Sequence, residues 1–175
     1  MQQATSLIIG RFQPFHLGHL TLIKSVIEAG EFALIVIGSN QISNTENNPL
    51  TASERTKLIK ASLTEAKIDK SNYKIIDIAD INDNNKWVSY LRKTVPSFNK
   101  VYTGTDYVQK LFKQDGKYPL GEFPFLKNIS GTKIRNLIRN NNNDWQKLVS
   151  PAVADLINKE YLEIIKDSQG SSMTL

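Results

Sequence analysis

The stretch "SLIIGRFQPFHLGHLTLIKSVIEAG", residues 6 to 30, decides the fold. It opens with an apolar run, Leu7 to Ile9, that reads as a buried strand. It closes with an amphipathic segment. There Leu20, Ile23, Val26 and Ile27 share one helical face, and Gly30 supplies a C-terminal stop. Between them lies "GRFQPFHLGH", which holds both histidines of the chain, His16 and His19. A strand that feeds a helix through a glycine-bearing turn is the first unit of an α/β protein.

The same alternation continues outward. "FALIVIG" (32–38) is a continuous β-branched run, as expected of a strand covered on both faces. After the polar loop "SNQISNTENNPL", Thr51 and Glu54 stand at capping-box spacing and open a helix. "YKIIDI" (73–78) is the third strand, followed by the helix "KWVSYLRKTV", which stops before Pro96. "KVYTG" (100–104) is the fourth strand, with a helix near "DYVQKLFKQ". "GKYPLGEFPF" is irregular or a short edge strand, given its prolines. "SGTKIRNLIRN" is helical with Ile134, Leu137 and Ile138 inward, and "PAVADLINKEYLEIIKD" is a closing amphipathic helix. This order predicts a Rossmann-like three-layer α/β/α fold with a parallel sheet. One domain over 1–166 and a disordered tail over 167–175 are expected. The loops at 10–19, 39–51, 79–86 and 103–106 follow strands, so ligands are expected among them.

Composition narrows the function. The 175 residues include no cysteine, which excludes disulfides and thiolate metal sites. "MQQATS" lacks the pattern of a signal peptide, and no apolar run is long enough to span a bilayer. A cytoplasmic location is therefore expected, without membrane association. The net charge of +5 fits nucleic acid or a small anion. The lysines are dispersed and no nucleic-acid motif accompanies them, which favours the small anion.

The joint at 10–19 is built for such an anion. A helix N-terminus presents unpaired N–H groups and the positive end of its dipole. Gly10 permits a tight turn or close approach of phosphate to backbone. His16 and His19, three apart, present their rings to one side, and a neighbouring phosphate favours their protonated forms. Arg11 adds a forked donor. Two histidines without cysteine or a nearby carboxylate make a poor zinc site, so no metal held by protein ligands is expected.

"GRFQPFHLGH" resembles the HxGH signature of the nucleotidyltransferase superfamily, and "ISGTKIR" (129–135) resembles its second signature. With "NPLTASER", "DINDNNKWV" and "VYTGTDYVQKLF", the chain over roughly residues 6 to 160 is similar to the archaeal-type nicotinamide-mononucleotide adenylyltransferases. The resemblance implies the nucleotidyltransferase fold. It also implies adenylyl transfer from ATP to nicotinamide mononucleotide (NMN), giving NAD and pyrophosphate, with Mg²⁺ carried on the ATP phosphates. By resemblance, Arg11, His16, His19 and Arg135 are the catalytic residues on the phosphates. Gly10, Phe12, Gly18, Ser130, Thr132 and Lys133 complete the ATP site, and Gly104 stands at the adenine. Asp80, Asn84 and Trp87 face the acceptor, with Trp87 stacked on the nicotinamide ring. The plain alternatives are an N-cap for Ser130 and a core position for Trp87. Relatives assemble into hexamers, so a homo-oligomer is expected.

One departure stands out. The family often carries an arginine at the position of Asn47, and "QISNTENNPL" holds no lysine or arginine at all. Lys133, Arg139 and Arg55 are candidates to replace it, although Arg55 could serve only to brace its helix. Two other functions compete: adenylylation of nicotinate mononucleotide or another phosphate acceptor, and a nucleotide-binding regulator without turnover.

Overall fold

The computed structural model describes residues 3–81, 83–122 and 128–168. Its strands are β1 (Thr5–Gly10), β2 (Phe32–Ile37), β3 (Tyr73–Asp77) and β4 (Lys100–Tyr102). Its helices are α1 (Leu17–Glu28), α2 (Ala52–Glu65), α3 (Asn84–Thr94), α4 (Asp106–Asp115), α5 (Gly131–Arg139), α6 (Pro151–Leu156) and α7 (Leu162–Asp167). Among the described residues, no helix is long and apolar enough to cross a membrane. The chain divides into two compact units.

The first unit comprises Met1–Gly10, Thr21–Asn40 and Ile68–Phe125 and holds the sheet. All four strands are parallel, in the order β3-β2-β1-β4. Leu7 lies opposite Leu34 on one side and Val101 on the other. Leu7, Ile9, Leu34 and Val36 share one face of the sheet. They form a core with Trp87, Val88 and Leu91 of α3 and Leu111 and Phe112 of α4. Ile8, Ile35 and Ile37 point the other way and are equally buried. Both faces are thus covered, which is why these strands are apolar without alternation. The fold is the Rossmann-like α/β class the sequence predicts.

Local signals act as expected at several ends. Gly30 takes φ +79° at the close of α1. The helix buries Leu22, Ile23 and Val26, so the inward stripe includes Leu22, while Leu20 and Ile27 are half-buried. Leu120 forms a single parallel bridge to Val101, the only part of "GKYPLGEFPF" that pairs among the described residues. Phe123 to Phe125 of that segment lie outside them.

The second unit comprises Arg11–Leu20, Gln41–Lys67 and Leu126–Leu175. Thr51 caps α2 through the full capping box, with Glu54 N–H on Thr51 Oγ1 at 3.3 Å and Thr51 N–H on Glu54 Oε2 at 2.7 Å. The expected closing helix is interrupted: a π-helical turn, Ile157–Tyr161, separates α6 from α7. Order also runs past the expected boundary at 166. Asp167 ends α7, and Ser168 Oγ donates to Ile165 O at 2.9 Å. Residues 169–175 of the expected tail lie outside the described residues.

Candidate active site

In the second unit, the start of α1 gathers the histidines. Their rings stack at 3.6 Å between centroids, 18° from parallel. His16 N–H donates to His19 Nδ1 at 3.3 Å, which leaves the His19 proton on Nε2 as a donor. Phe15 stacks on His19 at 5.4 Å and Phe12 meets it edge-on at 4.8 Å. Phe12 is therefore a buried support for the imidazole, with φ +52°. Burial holds His16 down at about 4, against a weaker opposing backbone hydrogen bond. Burial, and then repulsion from His16, pushes His19 well below the usual imidazole range. Without an anion, both rings are neutral; the protonated pair expected from the sequence requires a phosphate beside it. His16 Nδ1 is buried without a hydrogen-bond partner. A Cβ on Gly18 would stand 3.2 Å from that ring, which accounts for glycine between the histidines.

Three segments of this unit meet at Gln13, which is 4% exposed. Its Nε2 donates to Leu50 O at 2.7 Å, and its Oε1 accepts from Leu50 N at 3.0 Å. Its main-chain carbonyl accepts Arg135 Nη1 at 2.8 Å. The remaining Arg135 nitrogen of the fork, Nη2, reaches Asn47 Oδ1 at 3.1 Å and Thr132 Oγ1 at 3.3 Å. Arg135 is 2% exposed, and its Nε has no partner. Burial, then the neighbouring Arg139 and Arg11 charges, lowers it to about 10, against the pull of Glu46. It stays charged at neutral pH. A Cβ on Gly131 would lie 2.5 Å from the Gln13 carbonyl oxygen, so α5 can start here only with glycine.

Ser130 is the N-cap of α5, its Oγ accepting from Lys133 N at 3.1 Å. The plain capping reading of Ser130 is thus met; the N–H groups of Gly131 and Thr132 remain at the open helix end. The three candidate replacements for a cation at Asn47 separate clearly. Arg55 is fully buried and donates to Thr51 O and Arg11 O, a brace. Arg139 is bound to Ile165 O, Glu46 O and Ser168 Oγ. Lys133 is exposed on the first turn of α5. Arg11 is exposed as well, its carbonyl held by Arg55.

The first unit collects a different group at the carboxyl ends of its strands. Gly38 N–H donates to Gly10 O at 3.0 Å, joining the ends of β1 and β2. Ser39, with φ +53°, donates to Asp80, and Asn40 Nδ2 donates to Asp77 Oδ1 at 2.6 Å. Asn84, the first residue of α3, accepts from the hydroxyl of Tyr107 on α4. Trp87 is 6% exposed, edge-on to Phe112 at 6.1 Å, and belongs to the core. Gly104 is exposed between β4 and α4. Next to it, Thr103 O accepts from Gln109 Nε2 at 3.0 Å.

Comparison with known proteins places the chain in a family. A family model described as cytidylyltransferase-like matches residues 7–137, which takes in both the histidine segment and Ser130 to Arg135. A nicotinamide-nucleotide adenylyltransferase of Picrophilus torridus is 41% identical over 155 residues, 87% of this chain and 89% of the relative. The chain belongs to the cytidylyltransferase-like family, among its nicotinamide-nucleotide adenylyltransferases. A second such relative, from Methanococcus aeolicus, is 41% identical over 157 residues, 88% of each chain. A solved structure from Francisella tularensis, a bifunctional NMN adenylyltransferase/ADP ribose pyrophosphatase complexed with AMP and a manganese ion, shares the fold. Its TM-score is 0.70 at 22% identity, covering 94% of this chain and 52% of that one. The structure gives hydrogen-bonding and packing roles to residues that the motifs alone did not single out. Gln13 was visible only as a letter of "GRFQPF", and Gly131 only as a spacer of "ISGTKIR". The hydrogen bonds of Ser39 and Tyr107 carried no sequence signal, since their partners Asp80 and Asn84 lie 41 and 23 residues away.

Proposed function

We propose that this chain transfers the adenylyl group of ATP to NMN, giving NAD and pyrophosphate. The observation that carries the reading is the junction in the second unit. There the histidine segment and the start of α5, 122 residues apart at the Gln13–Arg135 contact, are joined by the buried Arg135 guanidinium. In this reading an NMN phosphate oxygen attacks the α-phosphorus of ATP. The bond from that phosphorus to the bridging oxygen breaks, and pyrophosphate leaves with the electron pair. The nucleophile is already ionised, so the step needs no general base. That agrees with a site whose histidines are neutral donors.

Arg11, His16 through its ring, His19 through Nε2, Lys133 and the first N–H groups of α5 serve the ATP phosphates. Their contribution is positioning and stabilisation of charge on the leaving pyrophosphate. Arg135 holds this shell and brings a fixed positive charge to it. Asp80, Asn84 and Trp87 serve the acceptor, and the backbone at Gly104 serves the adenine. The donors are cations, amides and neutral imidazoles, and no group of three potential metal-ligand side chains occurs among the described residues. Magnesium would be carried by the ATP phosphates and would supply neutralisation of their charge. A single catalytic domain over residues 1–166 and a homo-oligomer, up to a hexamer, are proposed on the resemblance alone.

Purified protein incubated with ATP and Mg²⁺ against NMN, nicotinate mononucleotide and phosphopantetheine tests the reading. NAD formed from NMN at the highest kcat/KM supports it. Pyrophosphate released only with another acceptor, or with none, overturns it.

A further inference from the structure

We propose that Gln13 is a positioning residue for adenylyl transfer: it locks the histidine segment, the 41–51 loop and the start of α5 into one register. The inference rests on the functional reading above and assigns a role to a residue of the histidine-bearing stretch that the resemblance left without one. The side-chain amide of Gln13 satisfies both the N–H and the carbonyl of Leu50, at 3.0 and 2.7 Å. Only a planar group with a donor and an acceptor side by side makes that pair. The main-chain carbonyl of the same residue is gripped by Arg135 at 2.8 Å and covered by Gly131, where no Cβ fits. Two residues earlier, Arg55 Nη1 holds Arg11 O at 3.1 Å. Alternate carbonyls on either side of Phe12 are thus fixed by two buried guanidiniums, and Phe12 between them sits at φ +52°. A left-handed phenylalanine persists only where its surroundings over-determine it.

What this register sets is the distance from the histidine rings to the open end of α5. Gln13 touches neither reacting atom nor phosphate; it acts through His16, His19 and Arg135. Losing the amide pair frees the turn, and a misplacement of about 1 Å in such a site costs about 10²-fold in rate. The loss should fall on ATP, because no acceptor residue is attached to this junction.

The test uses the full chain, first confirmed to make NAD from ATP and NMN; if the wild type does not, the functional reading fails and the role of Gln13 in this reaction falls with it. With an active wild type, Gln13→Ala is compared at a temperature where circular dichroism shows it folded. The proposal expects kcat/KM for ATP to drop about 10²-fold while the KM for NMN stays within about twofold. Gln13→Glu keeps the acceptor for Leu50 N–H and regains a donor only when protonated, so its activity relative to wild type should rise as pH falls. Gly131→Ala presses on the same carbonyl, and the double variant Gln13→Ala/Gly131→Ala should be no worse than the more damaged single. Wild-type kcat/KM in folded Gln13→Ala, equal losses for ATP and NMN, a flat relative pH profile for Gln13→Glu, or additive losses in the double variant would each overturn the proposal.

Discussion

His16 shows how one side chain couples stability to function. Its folded-state value of about 4 lies below the 6.5 of a free imidazole because the ring is buried. Between those values the unfolded chain binds the additional proton. Stability from this group is therefore complete above pH 6.5 and is lost as pH falls toward 4. Urea unfolding at pH 7 and pH 5 checks the sign: wild type should lose more stability across that interval than His16→Asn, and equal losses would remove the argument. His19→Ala should cut kcat by about 10² or more, if its Nε2 donates to charge developing on the phosphates. Steady-state kinetics reads it, and an unchanged kcat excludes that role. Trp87 is a core residue and, in the proposed reading, also serves the acceptor. Its burial against Phe112 predicts that Trp87→Ala loses about 3–5 kcal/mol of unfolding free energy. A Trp87→Phe variant, which keeps most of the packing, should chiefly raise the KM for NMN.

At the scale of elements, caps and glycines decide where helices begin. The α2 capping box is complete, so Thr51→Ala should lower unfolding free energy by about 1 kcal/mol, read by urea titration. That helix start was legible because both partners lie within four residues. So were the strands, whose continuous apolar runs fit a sheet covered on both faces. The interruption at Ile157–Tyr161 was not legible, because a π turn shifts hydrogen bonds without disturbing the apolar stripe. The burial of Arg135 was not legible either. In an amphipathic pattern an arginine reads as exposed, yet here it is buried, because its partners Gln13 O and Asn47 Oδ1 come from 122 and 88 residues away. The signatures located the two segments proposed above to bind phosphate; they could not report which of their members are exposed and which hold the others. The absence of a cation at Asn47 takes its meaning from the structure, where the Asn47 amide oxygen accepts Arg135 and Lys133 stands exposed.

For the molecule as a whole, the net charge of +5 and the buried Arg135 at the junction suit the anion binding proposed above. A ligand that binds only the folded state stabilises it by about 2.7 kcal/mol at a hundred times its Kd. ATP should therefore raise the thermal midpoint, and the shift should shrink as salt rises from about 0.1 to 1 M, where the screening length falls from about 10 to 3 Å. The starts of α1 and α5 are proposed to hold one triphosphate. A crystal structure with a non-hydrolysable ATP analogue decides it. β- and γ-phosphate oxygens are expected within hydrogen-bonding distance of the His16 and His19 rings and of the first N–H groups of α5. A triphosphate that touches neither helix start would contradict it.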